Sequence, residues 1–199
     1  MAKLHPTLWR TCRILSGKTR LQLFRRVIAT PDQSVTALAK QLDISVPRTS
    51  QELRRLQSRG LLQAVRRNQN VLYRPVPDAL VSTAAPLLAA MQQTFQHYPE
   101  SRDDETARIA TGLAHTRRLV LMRLLLVSPM DEQTLEDLSG IKRDALLRHL
   151  KLLEQAGLAC CRAERWQVVD SSHPLAQCLL ALLVGERKRK AQASKAAAN

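Results

Sequence analysis

The chain repeats itself. When Gly60-Leu61 is set against Gly157-Leu158, two long segments align without a gap at an offset of 97 residues. The same offset pairs Thr19-Arg20 with Thr116-Arg117, Arg26 with Arg123, Leu38 with Leu135, Ile44 with Ile141, Leu53 with Leu150 and Leu56 with Leu153. Most matches are apolar and fall at helical spacing, so both segments are expected to build one kind of core. Solenoid repeats are far shorter than this period, which points to a duplicated domain.

Each copy reads in the same order. In the first, Pro6–Leu15 is a short helix with Leu8, Trp9, Cys12 and Leu15 on one face, and Thr19–Ala29 is a second. Thr30-Pro31-Asp32 breaks it. Ser34 is a candidate N-cap for a helix over Val35–Leu42, and Asp43-Ile44 turns into a fourth from Ser45 or Val46 to Ser58. Pro47 sits in that helix's first turn, where a missing N–H costs nothing, and Gly60 closes it. Two short strands around Asn68-Gln69-Asn70 then read as a β-hairpin. Pro77–His97 reads as a longer helix, kinked or divided at Pro86.

The second copy predicts helices over Glu105–Leu113, Thr116–Val127, Glu132–Leu138 and Lys142–Gln155, strands over Leu158–Arg162 and Trp166–Val169, and a last helix from Pro174 to about Val184. The expected organisation is a first domain over residues 1–98, a linker over 99–104, a second domain over 105–185 and a basic, low-complexity, disordered tail over 186–199. The fold class is mainly α with small β-hairpin wings.

Aromatic residues make up 3% of a chain that is 45% hydrophobic, so the core is expected to be Leu, Val, Ile and Ala. The formal net charge is +14 and the pI about 10.6, values that attract polyanions such as nucleic acid or anionic lipid. No apolar run approaches the roughly 20 residues needed to span a bilayer, and Met1–Trp9 lacks a signal-peptide core. The expectation is a cytoplasmic, nucleoid-associated protein with no membrane partner. Cys12, Cys160, Cys161 and Cys178 form no Cys-x-x-Cys pair and are expected to be free, buried thiols, with no metal and no cofactor.

Two helices joined by a tight turn and followed by a β-hairpin form a winged helix-turn-helix, here in tandem. In that motif the second helix enters the major groove and the hairpin reaches the neighbouring backbone or minor groove. Double-stranded DNA is therefore the expected partner. In the first copy Ser45, Arg48, Thr49, Ser50, Gln51 and Arg54 are the candidate contacts on the helix, and Arg66, Arg67, Asn68, Gln69 and Asn70 those on the wing. The second copy offers Lys142, Arg143, Arg148 and His149 on its helix and Arg162 and Arg165 on a shorter wing, with Asp144 and Glu164 intruding. Residues 1–100 carry 15 Lys and Arg against 5 Asp and Glu, net +10. Residues 101–185 carry 11 of each sign, and the last 14 residues add +4. The first copy is thus expected to supply most of the affinity and salt dependence.

Leu15-Ser-Gly-Lys-Thr-Arg-Leu and Leu113-Ala-His-Thr-Arg-Arg-Leu, with Ser50-Gln-Glu-Leu-Arg-Arg-Leu-Gln-Ser-Arg-Gly-Leu and Arg148-His-Leu-Lys-Leu-Leu-Glu-Gln-Ala-Gly-Leu, resemble the ArsR/SmtB family of winged-helix repressors. The resemblance covers about residues 10–75 and 108–170. It implies an intramolecular pseudo-dimer, since family members pair as homodimers through their first and last helices. Leu8, Trp9, Leu87, Leu88, Met91, Ile109, Leu179 and Leu182 are then the candidate interface, and a further homodimer is left open. The chain departs from metal-sensing members, because Val35–Leu42 and Glu132–Leu138 carry no Cys-x-Cys pair, and any small-molecule effector is unknown.

No Gly-rich phosphate loop, Gly-x-Ser-x-Gly elbow or His-Glu-x-x-His is present, so no enzyme is expected. The expected function is a sequence-specific transcriptional regulator, with the second copy as weaker reader or dimerisation partner. The alternative is a chromosome-architecture or adaptor protein that binds DNA non-specifically and protein as well.

Overall fold

The computed structural model describes the backbone of residues 7–197 and the side chains of residues 7–185. It is mainly helical, with ten α-helices among the described residues and two small antiparallel sheets. Pro6, expected to open the first helix, lies outside the described residues.

Helix α1 (Leu8–Leu15) buries Leu8, Cys12 and Leu15 on a single stripe. α2 (Lys18–Ala29) buries Leu21, Leu23, Phe24 and Val27. α3 (Val35–Gln41) and α4 (Val46–Gln57) each start on a serine: Ser34 Oγ accepts from the Ala37 N–H (3.1 Å), and Ser45 Oγ from the Arg48 N–H (3.4 Å). Between them Asp43 turns the chain at φ +51°. Ninety-seven residues later Gly140, φ +65°, turns it again between α8 (Glu132–Ser139) and α9 (Arg143–Gln155).

Strands β1 (Gln33–Ser34), β2 (Gln63–Arg67) and β3 (Asn70–Arg74) form a sheet in the order β1-β3-β2, with Gln33 opposite Tyr73 and Arg67 opposite Asn70. The second copy has β4 (Ala159–Arg162) paired with β5 (Arg165–Val168), and an isolated bridge joins Met130 to Trp166. Met130 stands 97 residues after Gln33, so the duplication reaches the strand pairing as well.

Three expectations about element bounds change. The helix expected from Pro77 begins at Ala84, as α5 (Ala84–His97), so Pro86 lies in its first turn and no kink is needed. Residues 75–83 instead cross Gly60, where the Asp78 N–H meets the Gly60 carbonyl at 2.9 Å. A Cβ on Gly60, φ +70°, would stand 3.0 Å from the Cβ atoms of Asp78 and Val81. The expected linker contains a 3-10 turn (Glu100–Arg102) and the start of α6 (Asp103–Gly112), with Asp103 buried. After α7 (Thr116–Leu125), the last helix, α10 (Pro174–Ala197), continues through most of the expected disordered tail. That stretch is rich in Ala, Lys and Arg, all good helix formers.

The buried apolar side chains form a single cluster from Leu8 to Leu183. α1 and α2 pack on α6, and α5 packs on α10. Leu8, Leu87, Leu88, Met91, Ile109 and Leu179 are buried in it, with Trp9 and Leu182 half-buried. Arg25 of α2 pairs with Asp103 of α6, both buried, and its Nη1 donates to the carbonyls of Phe95 (3.1 Å) and Tyr98 (3.0 Å). The guanidinium also lies 4.2 Å from the Phe95 ring centroid.

None of the four cysteines is in a disulfide; Cys12 is buried, while Cys161 is exposed, against the expectation of burial. β4 sets Cys160 and Cys161 on opposite faces and turns the second one outward. No helix among the described residues is long and apolar enough to cross a membrane.

Candidate functional site

α4 faces outward with Arg48, Gln51, Arg54 and Arg55 exposed and Ser50 half-buried. With Pro47 and Ser58 these residues line an open concave strip along the helix. Ser45 is exposed, but its hydroxyl is engaged as the helix cap. Thr49 is a correction: it is fully buried, and its hydroxyl donates to the Ser45 carbonyl (3.0 Å), so it cannot meet a ligand. At three residues from Glu52, four from Leu53 and seven from Leu56, all buried, it falls on the inner phase of the helix.

The single acid of α4, Glu52, also points inward. Its carboxylate pairs with Arg20 of α2 and accepts from Arg55 Nη1 at 2.7 Å. Arg20 Nη1 in turn donates to the carbonyls of Ile14 (2.6 Å) and Arg13 (3.3 Å). The outer face of α4 therefore carries no negative charge. Sequence reasoning missed both Glu52 and Arg55, though Glu52 and Arg55 stand at the i, i+3 spacing of a helical ion pair.

Arg66, Arg67, Asn68, Gln69 and Asn70, expected as wing contacts, are all exposed at the end of the β2–β3 hairpin. Arg74 pairs with Asp32 at the hairpin's base. The Arg74 hydrogen bond, helped by the charges of Arg74 and Arg67, holds the Asp32 carboxyl below its ordinary range. Burial raises the Tyr73 phenol, and Arg54 works against that rise, which places Arg54 where α4 meets β3.

The second copy is arranged differently. Lys142 is exposed at the start of α9. Arg143 Nη2 donates to Glu132 (2.9 Å) and its N–H to Glu136 (2.9 Å), so acids of α8 take up that cation. Arg148 is exposed, with Nε on the Asp144 carbonyl (3.2 Å). Arg162 and Arg165 are exposed, and the two residues between them, Ala163 and Glu164, have φ +47° and +60°.

His149, expected as an outward contact, is half-buried and faces His115, with ring centroids 4.8 Å apart. Its Nδ1 is buried without a hydrogen-bond partner. Burial first, then the charges of His115, Arg118, Arg117 and Arg148, bring its pKa down to about 4. His115 is lowered too, by burial and by Arg118 and Arg117. Beside these rings lies a cavity of about 330 Å³ lined by His115, Arg117, Ala145, Arg148, His149 and Leu152. Among the described residues no group of three His, Cys, Asp or Glu is placed to hold a metal ion.

No family model matches the chain, and no curated protein matches it. A solved structure, human N-acetylserotonin methyltransferase in complex with SAM, is similar over 66% of this chain at 16% identity, with a TM-score of 0.31. The chain spans about half of that enzyme's length, 52%. This likeness runs against two expectations, that the chain is a transcriptional regulator (or its architectural alternative) and that it is not an enzyme. Neither expectation is carried further. A fold is a scaffold on which unrelated sites are built, and the helical pattern alone does not separate them. A TM-score this low says nothing for methyl transfer by this chain.

Proposed function

We propose that the chain binds double-stranded DNA, with α4 against the major groove and the β2–β3 hairpin on the flanking backbone. One observation carries the reading. Arg48, Gln51, Arg54 and Arg55 on α4 and Arg66 and Arg67 on the hairpin are exposed together, while the single acid of α4 is paired on the inner side. A strip of guanidinium groups on an exposed helix face matches a phosphate backbone in charge and in hydrogen-bond geometry. The element order supports reading each copy as a winged helix-turn-helix. The packing of α1 on α6 and α5 on α10 supports a pseudo-dimer of the kind that the ArsR/SmtB resemblance implies. In that pair the first copy is the main reader, because Arg143 and His149 of the second are turned to other groups.

Fluorescence anisotropy with a labelled duplex, repeated over a series of salt concentrations, tests this. Replacing Arg48 and Arg54 by Ala should weaken binding and flatten the log–log salt slope by about 0.9 for each phosphate no longer neutralised. The Lys142→Ala, Arg143→Ala pair should do less. Equal loss from both pairs would remove the assignment to the first copy, and no binding at low salt would remove the function.

A further inference from the structure

The repeat makes each copy a control for the other. In the first, the Glu52 carboxylate sits between Arg20 and Arg55. At the same offset the second copy has Arg117 for Arg20, His149 for Glu52 and Leu152 for Arg55. The arginine of the second helix is kept and its carboxylate is gone. The Arg117 side chain makes no hydrogen bond or ion pair among the described residues, although its backbone N–H donates to His115 Nδ1 at 3.1 Å. That bond leaves His115 to carry its neutral-form proton on Nε2, as a donor. Where the first copy has a carboxylate, the second has the cavity of about 330 Å³, and no acid lines it.

We propose that this cavity binds an oxyanion, a phosphate or carboxylate group that takes the place held by the Glu52 carboxylate in the first copy. Arg117 and Arg148 supply guanidinium donors, and the N-terminus of α7 adds its positive end. His149, with Nδ1 buried and unpartnered, gains a reason to be protonated once an anion is beside it. Every charged group facing His149 there, His115, Arg117, Arg118 and Arg148, is basic, and an anion would relieve their mutual repulsion. The group could belong to a small phosphorylated or carboxylated molecule, or to the backbone of a bound duplex.

The test follows the histidine ring signals of the full chain by NMR through a pH titration in chloride buffer. It is run alone, with inorganic phosphate, and with a short duplex. Phosphate should raise the His149 midpoint from about 4 by about one pH unit or more, saturably, and leave His97 unmoved. Arg117→Ala should weaken the response about tenfold or more, as loss of a charge-assisted hydrogen bond does. His149→Glu supplies an internal carboxylate, and its His115 signal should no longer answer to phosphate while the far-UV spectrum stays native. Saturation by phosphate assigns the site to a small molecule, and response to the duplex alone assigns it to a backbone phosphate. The proposal is overturned if neither ligand moves His149, if all ring signals shift alike, or if Arg117→Ala responds as the wild type does.

Discussion

Arg20 and Arg118 do the same work from different positions. Arg20 reaches the carbonyls of Arg13 and Ile14 at the end of α1, and Arg118 reaches those of Thr111 and Gly112, both at 2.7 Å, at the end of α6. The ungapped alignment sets Arg20 opposite Arg117, so the two tasks of Arg20 are divided in the second copy: Arg118 holds the carbonyls and Arg117 stands beside His149, at the place of Glu52. What could not be read at this scale is rotation about a helix axis. Thr49, Glu52 and His149 all look like surface residues of a polar helix, and all three turn inward. His149 carries a consequence for pH. Its folded pKa of about 4 lies below the ordinary 6.5, so folding favours the neutral ring. The sign follows from linkage: that contribution is full above about 6.5 and is lost as pH falls towards about 4. In phosphate-free buffer the stability of the wild type relative to His149→Gln should decline over that window, measured by urea midpoints. Parallel curves would show that the ring titrates as it does in the unfolded chain.

The elements were legible where local chemistry dictates them. Serine caps, the two glycines that end α4 and α9, and the polar Asn68-Gln-Asn70 tip each act within a few residues, so helix and hairpin positions followed from sequence. The start of α5 did not. Leu80 and Val81 fit a helical period, but the segment is held instead by its crossing over Gly60, a contact between residues far apart in the chain. The second hairpin has a tighter demand. Ala163 and Glu164 form its two-residue tip, both with positive φ, a conformation that favours Asn-Gly. A non-glycine residue held there costs roughly 1–2 kcal/mol. Replacing the pair by Asn-Gly should therefore stabilise the protein by about 1 kcal/mol, seen as a higher urea midpoint with an unchanged m-value.

For the whole molecule, the repeat told how many copies to expect but not how they are tied. Asp103 reads as part of a polar linker, yet it is buried beneath Arg25 and joins α2 of one copy to α6 of the other. Removing one member of a buried ion pair costs about 3–5 kcal/mol, because the other charge stays buried. Asp103→Ala should lower stability by about that amount, softened by the carbonyls of Phe95 and Tyr98 that still hold Arg25. Since the apolar cluster is continuous from Leu8 to Leu183, calorimetry should record one transition before and after the change, with calorimetric and van't Hoff enthalpies equal. Two separated transitions would mean that the copies are independent bodies.

The packing of α5 on α10 within one chain has a consequence for how such a protein can change over time. Two identical subunits receive every substitution twice, so a carboxylate lost from one is lost from its mate, and each experiment in sequence must suit both places at once. Covalent union ends that symmetry. One copy can carry Glu52 and its self-contained ion pairs while the other carries His149 at the same position, beside a basic cavity. Duplication followed by fusion thus gives a scaffold one half that holds the inherited shape and another that is at liberty to acquire a new ligand.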